Sequence, residues 1–557
     1  MPVRAMSGQG APDLGPSDLG RSDMGLGSWP HRRARITPHR TALVQDDRTL
    51  TYAELADRVQ RLAGLLAGLG VGPGDRVAYL GVNDIAVFEA LFATCRLGAV
   101  FVPLNTRLSG AEITYMLEDC GAAVLVHSPD TDGLLAGTAL PAGLRTVLAL
   151  APATSPVGRR DVLDYRAELA GRPPHRDEAA VGMDDPALLL YTSGTTGRPK
   201  GAVLTHGNLT WNTINQLAHV DVLSTDRALT IAPLFHCVGL GQVTLPTLFK
   251  GGSVEPVPAF DPGAVLALIA GRGITSFSAV PTMLQRMCEH PSWDSTDLSS
   301  LRAVLYGGSP VQERVATAWL DRGVLLQQGY GMTEASPGVC MALPDGSRER
   351  PVSVGPPHFF TDVAHLSGER VVPVLADVQA ELLVRGPHVF PGYWRREQET
   401  ADSFVGGWFR TGDVVRVARD GWAYVADRVK DMIISGGENI YPAEVEAVLA
   451  TLPEVSASAV VAVPDARWGE VGAAYVVLRD GCTLDPAVLR HHLEGALARY
   501  KIPKHLHLVD ELPRNATGKV LRVRLRELAG GPPTPASPPA QPAESPRPTS
   551  PSAGAPS

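Results

Sequence analysis

The chain carries no excess of positive charge: 50 Lys and Arg stand against 58 Asp and Glu, a net charge of −8. Nucleic-acid recognition needs a basic face, and no local Lys/Arg cluster extends far enough to supply one, so that class is excluded. The short basic run at 31–35 reads as a solvated entry to the fold. Cysteine is scarce, and the six present, at 95, 120, 237, 288, 340 and 482, show neither a C-x-x-C pair nor zinc spacing. No disulfide framework follows, and the expectation is buried thiols in a reducing compartment, the cytoplasm. The first 28 residues are rich in Gly, Ser, Pro and Asp and lack an apolar core segment, which excludes a signal peptide or membrane span there. No transmembrane segment is expected, although peripheral membrane contact stays open. No repeat of fixed period runs through the chain, and oligomeric state leaves no mark in it.

With 44% apolar and 19% charged residues over 557 positions, the chain is globular and too long for one core, which rarely serves beyond ~250–300 residues. Helix-like periodicity at 52–69 and 86–97 alternates with short apolar strands at 76–80, 99–103 and 122–126, the pattern of α/β layers. The alternation continues through strands at 228–233, 276–280 and 303–306 and helices at 262–271, 282–289 and 312–321. From Glu381 the segments become shorter and more β-like. After Lys430 a small α+β unit is expected, with helices at 443–452 and 486–498 and strands at 455–463 and 473–478. The division is therefore a leader over 1–28, a large α/β domain over 29–428, a small domain over 429–529, and a tail over 530–557. The tail is mostly Pro, Ser, Ala and Gly and cannot offset its ordering entropy. Met24, just ahead of compositionally ordinary sequence, is a candidate start of the native protein.

The most informative segment is Tyr191-Thr192-Ser193-Gly194-Thr195-Thr196-Gly197-Arg198-Pro199-Lys200-Gly201, placed behind the apolar run 187–190. Its hydroxyls and backbone N–H groups can converge on one anion, its glycines allow close approach, and Lys200 adds a point charge. It does not fit G-x-x-x-x-G-K-[ST], so the P-loop NTPase reading fails. Further on stand Gln328-Gly329-Tyr330-Gly331-Met332-Thr333-Glu334, Trp408-Phe409-Arg410-Thr411-Gly412-Asp413, and Asp427-Arg428-Val429-Lys430-Asp431. They are followed by Ile433-Ile434-Ser435-Gly436-Gly437-Glu438-Asn439 and Pro513-Arg514-Asn515-Ala516-Thr517-Gly518-Lys519.

In this order and approximate spacing, the motifs resemble those of the adenylate-forming superfamily: acyl-CoA synthetases, peptide-synthetase adenylation domains and beetle luciferases. The resemblance covers residues 29–528 and is nearest to actinobacterial-type fatty-acyl-CoA synthetases. It implies a large multi-subdomain N-terminal adenylation domain and a small mobile C-terminal domain. The implied substrates are a carboxylic acid, ATP and CoA, with Mg²⁺. By that resemblance Thr192, Ser193, Gly194, Thr195, Thr196 and Lys200 grip phosphate. Tyr330, with Gly307 and Gly308, holds the adenine, Gln328 and Gly329 belong to the same ATP site, Thr333 meets the α-phosphate, and Asp413 and Arg428 the ribose. Glu334 is the implied magnesium ligand, and Lys519 bridges the carboxylate and α-phosphate in the first half-reaction. Rotation about Lys430 would then exchange the Lys519 loop for the CoA-side loop of Ser435, Gly436, Gly437 and Glu438.

His236 occupies the position where peptide-synthetase domains place an Asp that pairs a substrate amino group, which argues against amino acids and for a plain carboxylic acid. With Val238, Gly239, Val280, Gly308, Gly331 and Met332 it would line an apolar, glycine-widened pocket suited to a medium- or long-chain fatty acid. Arg286 leaves a dicarboxylate, malonyl-type ligase open, since such relatives carry an Arg nearby, but the favoured reading is an outward-facing helix Arg. Another alternative is an acyl-AMP ligase loading a carrier protein. A catalytically dead binding module would be expected to have lost Lys519, Glu334 or the phosphate loop, and all three are present. The departures at 379–381 and at Asp427 are expected to lie away from the chemistry.

Overall fold

The computed structural model describes residues 24–151, 162–176, 179–192, 199–308, 311–428, 431–435, 438–497, 499–515 and 518–529, with backbone alone at 427, 428, 434, 438, 439 and 495. Three sheets build the large domain. In one eight-stranded sheet, parallel strands Arg76–Leu80, Val100–Leu104, Val124–His127, Thr146–Ala149 and Val162–Asp164 adjoin Pro186–Thr192, whose antiparallel partner is Lys200–Thr205. The apolar run Ala187, Leu188, Leu189 and Leu190 is buried, as a strand covered on both faces requires. Register sets Thr192 opposite Lys200, so the two ends of the phosphate-loop segment lie side by side.

A second eight-stranded sheet contains Arg227–Thr230, Ser276–Ala279, Ala303–Gly307 and Leu326–Gly331 as parallel neighbours. Their carboxyl ends bring residues 279–280, 307–308 and 329–331 to one edge, where open α/β sheets hold ligands. The third sheet is antiparallel and pairs Trp408–Val417 with Ala423–Arg428, placing Asp413 opposite Arg428.

Helix starts follow local chemistry. Tyr52–Gly68 opens with a capping box of Thr51 and Glu54, and Gly110–Cys120 with Ser109 and Glu112. The expected strand at 228–233 ends earlier, at Thr230, because the sequence runs on through Ile231 and Ala232 to Pro233, which cannot donate to a ladder.

The leader expectation needs one correction. Residues 25–28 are buried: Leu26 N–H donates to His206 Nδ1 at 3.1 Å, and an added Cβ on Gly27 would lie 2.3 Å from Arg96 N. Their Gly/Ser composition reflects close packing rather than a solvated leader. Of the six cysteines, all free, Cys95, Cys120, Cys237 and Cys340 are buried and Cys288 and Cys482 half-buried. Among the described residues no helix is long and apolar enough to cross a membrane.

The small domain packs helices Pro442–Leu449 and Pro486–Ala496 on the hairpin Val455–Asp465 and Gly469–Leu478, with its own core of Val445, Leu449, Val460, Val476, Leu489 and Leu493. It touches the large domain through Gln312 Nε2, which donates to Ser456 O at 3.0 Å, and through Arg479 Nη1, 3.1 Å from Glu289 Oε1.

Candidate active site

The crevice at the second sheet's carboxyl edge is shaped by backbone contact. Ser278 Oγ donates to Val238 O at 3.3 Å, tying the short helix Cys237–Gly241 to the strand that ends before Val280. An added Cβ would lie 2.4 Å from Pro233 O at Gly239, 2.6 Å from Gly329 O at Gly307, and 1.8 Å from Pro337 O at Gly331. These positions are glycine because backbones press together, which corrects the expectation that Gly239 and Gly331 widen the pocket. Gly308 differs: its φ is +90° and the nearest atom to an added Cβ is Val280 Cγ1 at 3.9 Å. Gly331→Ala is therefore expected to destabilise the protein by about 1–3 kcal/mol, read as a lower urea midpoint, with relative rates on small and large acids unchanged. A variant of normal stability with altered acid preference would place that Cβ in the pocket instead.

At the end of the strand Pro186–Thr192, Thr192 Oγ1 is buried with no hydrogen-bond partner among the described residues, which makes it a candidate donor to a ligand. Lys200 Nζ lies 3.5 Å from the centroid of the Tyr393 ring. The Tyr393 hydroxyl donates to Glu334 Oε1 at 2.8 Å, and burial, then the Glu334 charge, push its pKa well up, so it remains a donor. Phe390 N–H donates to Glu334 O at 2.8 Å, and Cys237 Sγ lies 3.6 Å from Thr333 Oγ1. A single carboxylate held through Oε1 by Tyr393 suits Mg²⁺, which takes one or two carboxylates plus phosphate oxygens.

Around the Gln328–Gly331 strand end, Gln328 accepts from the Tyr306 hydroxyl at 3.2 Å, and the Tyr330 hydroxyl donates to Asp413 Oδ2 at 2.8 Å. Burial, then Asp413, hold the Tyr330 pKa well above its usual value. The 379–381 segment was expected to lie away from the chemistry, yet Glu381 Oε1 accepts Gly412 N–H at 3.2 Å and Glu381 Oε2 takes Arg410 at 3.0 Å. Thr411 Oγ1 donates to Leu382 O at 2.7 Å and accepts Asp413 N–H at 3.1 Å. Glu381 and Thr411 thus fix the turn that presents Asp413.

His236 caps the helix Cys237–Gly241. Burial, then the charge of Arg107, lower its pKa to about 4, and its Nε2 is buried without a partner among the described residues. It is a neutral imidazole at neutral pH. Arg286 is exposed, its guanidinium 5.2 Å from the Phe260 ring centroid, as the outward-facing reading expects.

The Lys519 loop is closed by Asn515 N–H to Lys519 O at 2.8 Å and Lys519 N–H to Asn515 Oδ1 at 2.9 Å. An added Cβ on Gly518, whose φ is +80°, would lie 3.2 Å from Thr282 Oγ1. The loop therefore sits against the start of the helix Pro281–Cys288, beside Val280. Ser435 pairs with Glu438 and with Gly469 in the small domain's sheet. Ser193, Gly194, Thr195, Thr196, Lys430, Gly436 and Gly437 lie outside the described residues.

Residues 30–394 match the AMP-binding enzyme family and residues 444–519 the AMP-binding enzyme C-terminal domain. The chain is 51% identical over 506 residues to a feruloyl-CoA synthase of an Amycolatopsis species, covering 91% of this chain and 99% of that one. It is 42% identical over 507 residues to an indoleacetate–CoA ligase of Aromatoleum aromaticum, covering 90% and 98%. Among solved structures it resembles a Mycobacterium tuberculosis fatty acyl CoA synthetase, with a TM-score of 0.72, 32% identity, and coverage of 91% and 99%. The chain belongs to the AMP-binding, adenylate-forming enzymes. It is an acid–CoA ligase that joins a carboxylic acid to CoA with ATP and Mg²⁺.

Proposed function

We propose that the acid is aromatic, a ring joined to its carboxylate through a short acetic or propenoic arm. The observation that carries this reading is the 51% identity, along almost the whole of both chains, to a feruloyl-CoA synthase. The 42% identity to an indoleacetate–CoA ligase points the same way, against 32% for the fatty acyl synthetase structure. The crevice agrees: Gly239 and Gly331 are locked by backbone, so they add no length for a long chain, while the bare backbone at Gly308 gives a ring a flat surface. A neutral His236 with an unpartnered Nε2 adds one polar contact. The straight-chain fatty acid is the second reading, supported by the similarity to the fatty acyl CoA synthetase.

The mechanism follows from the groups at hand. In the first step a carboxylate oxygen bonds to the α-phosphorus of ATP as the bond to the β-phosphate oxygen breaks, giving acyl-AMP and pyrophosphate. Negative charge grows on phosphoryl oxygens, and preorganised donors lower that barrier. Thr192, Lys200 and Thr333 serve the phosphates, Asp413 and Arg428 the ribose, and Lys519 the carboxylate and α-phosphate together. Glu334 would hold Mg²⁺, whose charge would offset that of the triphosphate. In the second step the CoA sulfur bonds to the acyl carbon and AMP leaves. We assign Lys430 as the pivot that turns the small domain between steps and Ser435, Gly436, Gly437 and Glu438 as the CoA-side residues.

The test is a comparison of CoA-dependent kcat/KM on cinnamic-type, arylacetic, straight-chain and dicarboxylic acids. Arylpropenoic or arylacetic acids should exceed straight chains by at least roughly tenfold, since each misfitted group costs about 1–3 kcal/mol. A maximum on straight chains would establish the fatty reading, and one on malonate would bring Arg286 back as a ligand.

A further inference from the structure

Tyr393 is an exception to the motifs. It stands in a two-residue strand, Gly392–Tyr393, far in sequence from both groups it touches. Its hydroxyl donates to Glu334 Oε1 at 2.8 Å and its ring centroid lies 3.5 Å from Lys200 Nζ. One side chain therefore contacts both the carboxylate and the ammonium to which phosphate and metal roles fall. We infer that Tyr393 is a positioning residue that sets the metal-binding carboxylate and the phosphate-binding lysine together, an inference that rests on those two role assignments.

The neighbourhood holds this ring in place from several directions. Tyr393 pairs with Ala202 and Gly392 with Val203, on the strand that begins with Lys200. Tyr393 N–H donates to Thr400 Oγ1 at 2.9 Å, and Trp394 N–H to Gly201 O at 2.8 Å. Arg396 Nη2 reaches Asp119 Oδ1 at 2.9 Å, and Asp119 Oδ2 also accepts the Tyr191 hydroxyl at 2.8 Å, at the entry to the phosphate loop. Phe390 meets the Tyr393 ring edge-on at 4.8 Å while its N–H holds Glu334 O. The segment 390–396 thus links three stations of the site, and Tyr393 is where the linkage reaches side chains that face the ligand.

The two contacts are chemically separable. The hydroxyl orients one carboxylate oxygen and leaves the other for metal, whereas the ring face supplies cation–π attraction that places the ammonium. Tyr393→Phe removes only the first, and Tyr393→Leu removes both.

Calorimetric titration of the full-length variants with ATP over a series of Mg²⁺ concentrations reads each contact. For Tyr393→Phe the Mg²⁺ needed for half-maximal ATP binding should rise roughly tenfold, the scale of one lost charge-assisted hydrogen bond, with ATP affinity at saturating Mg²⁺ nearly unchanged. For Tyr393→Leu, ATP affinity should fall by roughly a further threefold to tenfold even at saturating Mg²⁺. Both variants should keep the unmodified protein's circular-dichroism spectrum, which a general folding defect would not allow. A Phe variant with unaltered Mg²⁺ dependence, or a Leu variant indistinguishable from it, overturns the inference. Because binding is read without any acid, a protein that binds MgATP yet releases no pyrophosphate with any acid would sink the ligase reading and leave this result standing.

Discussion

Lys519→Ala should slow acyl-adenylate formation by roughly 10²–10³-fold, the usual cost of losing one preorganised donor to a developing anion, while thioester formation from supplied acyl-AMP and CoA stays within about twofold. The asymmetry follows from the loop's position. Gly518 lies against Thr282 at the start of the helix that follows Val280, so the Lys519 loop sits beside residues proposed to line the acid pocket. Only the step that builds charge on the α-phosphate needs an ammonium there. Stopped-flow measurement of pyrophosphate release, with a separate single-turnover assay on acyl-AMP, reads the two halves independently. Equal losses in both would break the assignment.

Lys430→Pro should do the reverse, leaving adenylation within about threefold and lowering thioester formation by roughly 100-fold or more, as expected when a conformational step is blocked. Proline fixes φ near −65° and removes an N–H, so it would restrain a pivot at this position. Among the described residues, two polar contacts join the domains: the Gln312 side chain donates to Ser456 O, and Arg479 meets Glu289. The exposed Arg479–Glu289 ion pair contributes about 0–1 kcal/mol, too little by itself to hold the small domain in place. A wild-type thioester rate in the proline variant would remove the pivot from Lys430.

The α/β class, the helices beginning at Tyr52 and Pro262, and the separate small domain were legible because apolar periodicity and capping residues are local signals. The phosphate-loop, Thr333–Glu334, Asp413 and Lys519 motifs are equally local, short runs of one residue chemistry, and the roles given to them are proposals. Long-range partners were not legible. Nothing near Tyr393 marks it as the contact of Lys200 and Glu334, and nothing near Tyr330 announces that its hydroxyl meets Asp413, 83 residues away. Glycine misled for a related reason. At 239 and 331 it is needed because a carbonyl lies within 2.4 Å and 1.8 Å of where a Cβ would be, but a sequence cannot distinguish that need from an open pocket. Residues 25–28 were assigned to the leader by composition, whereas Leu26 and Gly27 are small or apolar because they are buried.

The central claim is that this chain makes a thioester from an aromatic acid through an acyl-adenylate. Phosphorus NMR and mass spectrometry of a reaction containing an arylpropenoic acid, ATP, Mg²⁺ and CoA test it directly. The account predicts AMP, pyrophosphate and aryl-CoA in equal amounts, with acyl-AMP accumulating when CoA is left out. ADP and inorganic phosphate as products, or AMP formation without any thioester when CoA is present, would contradict it.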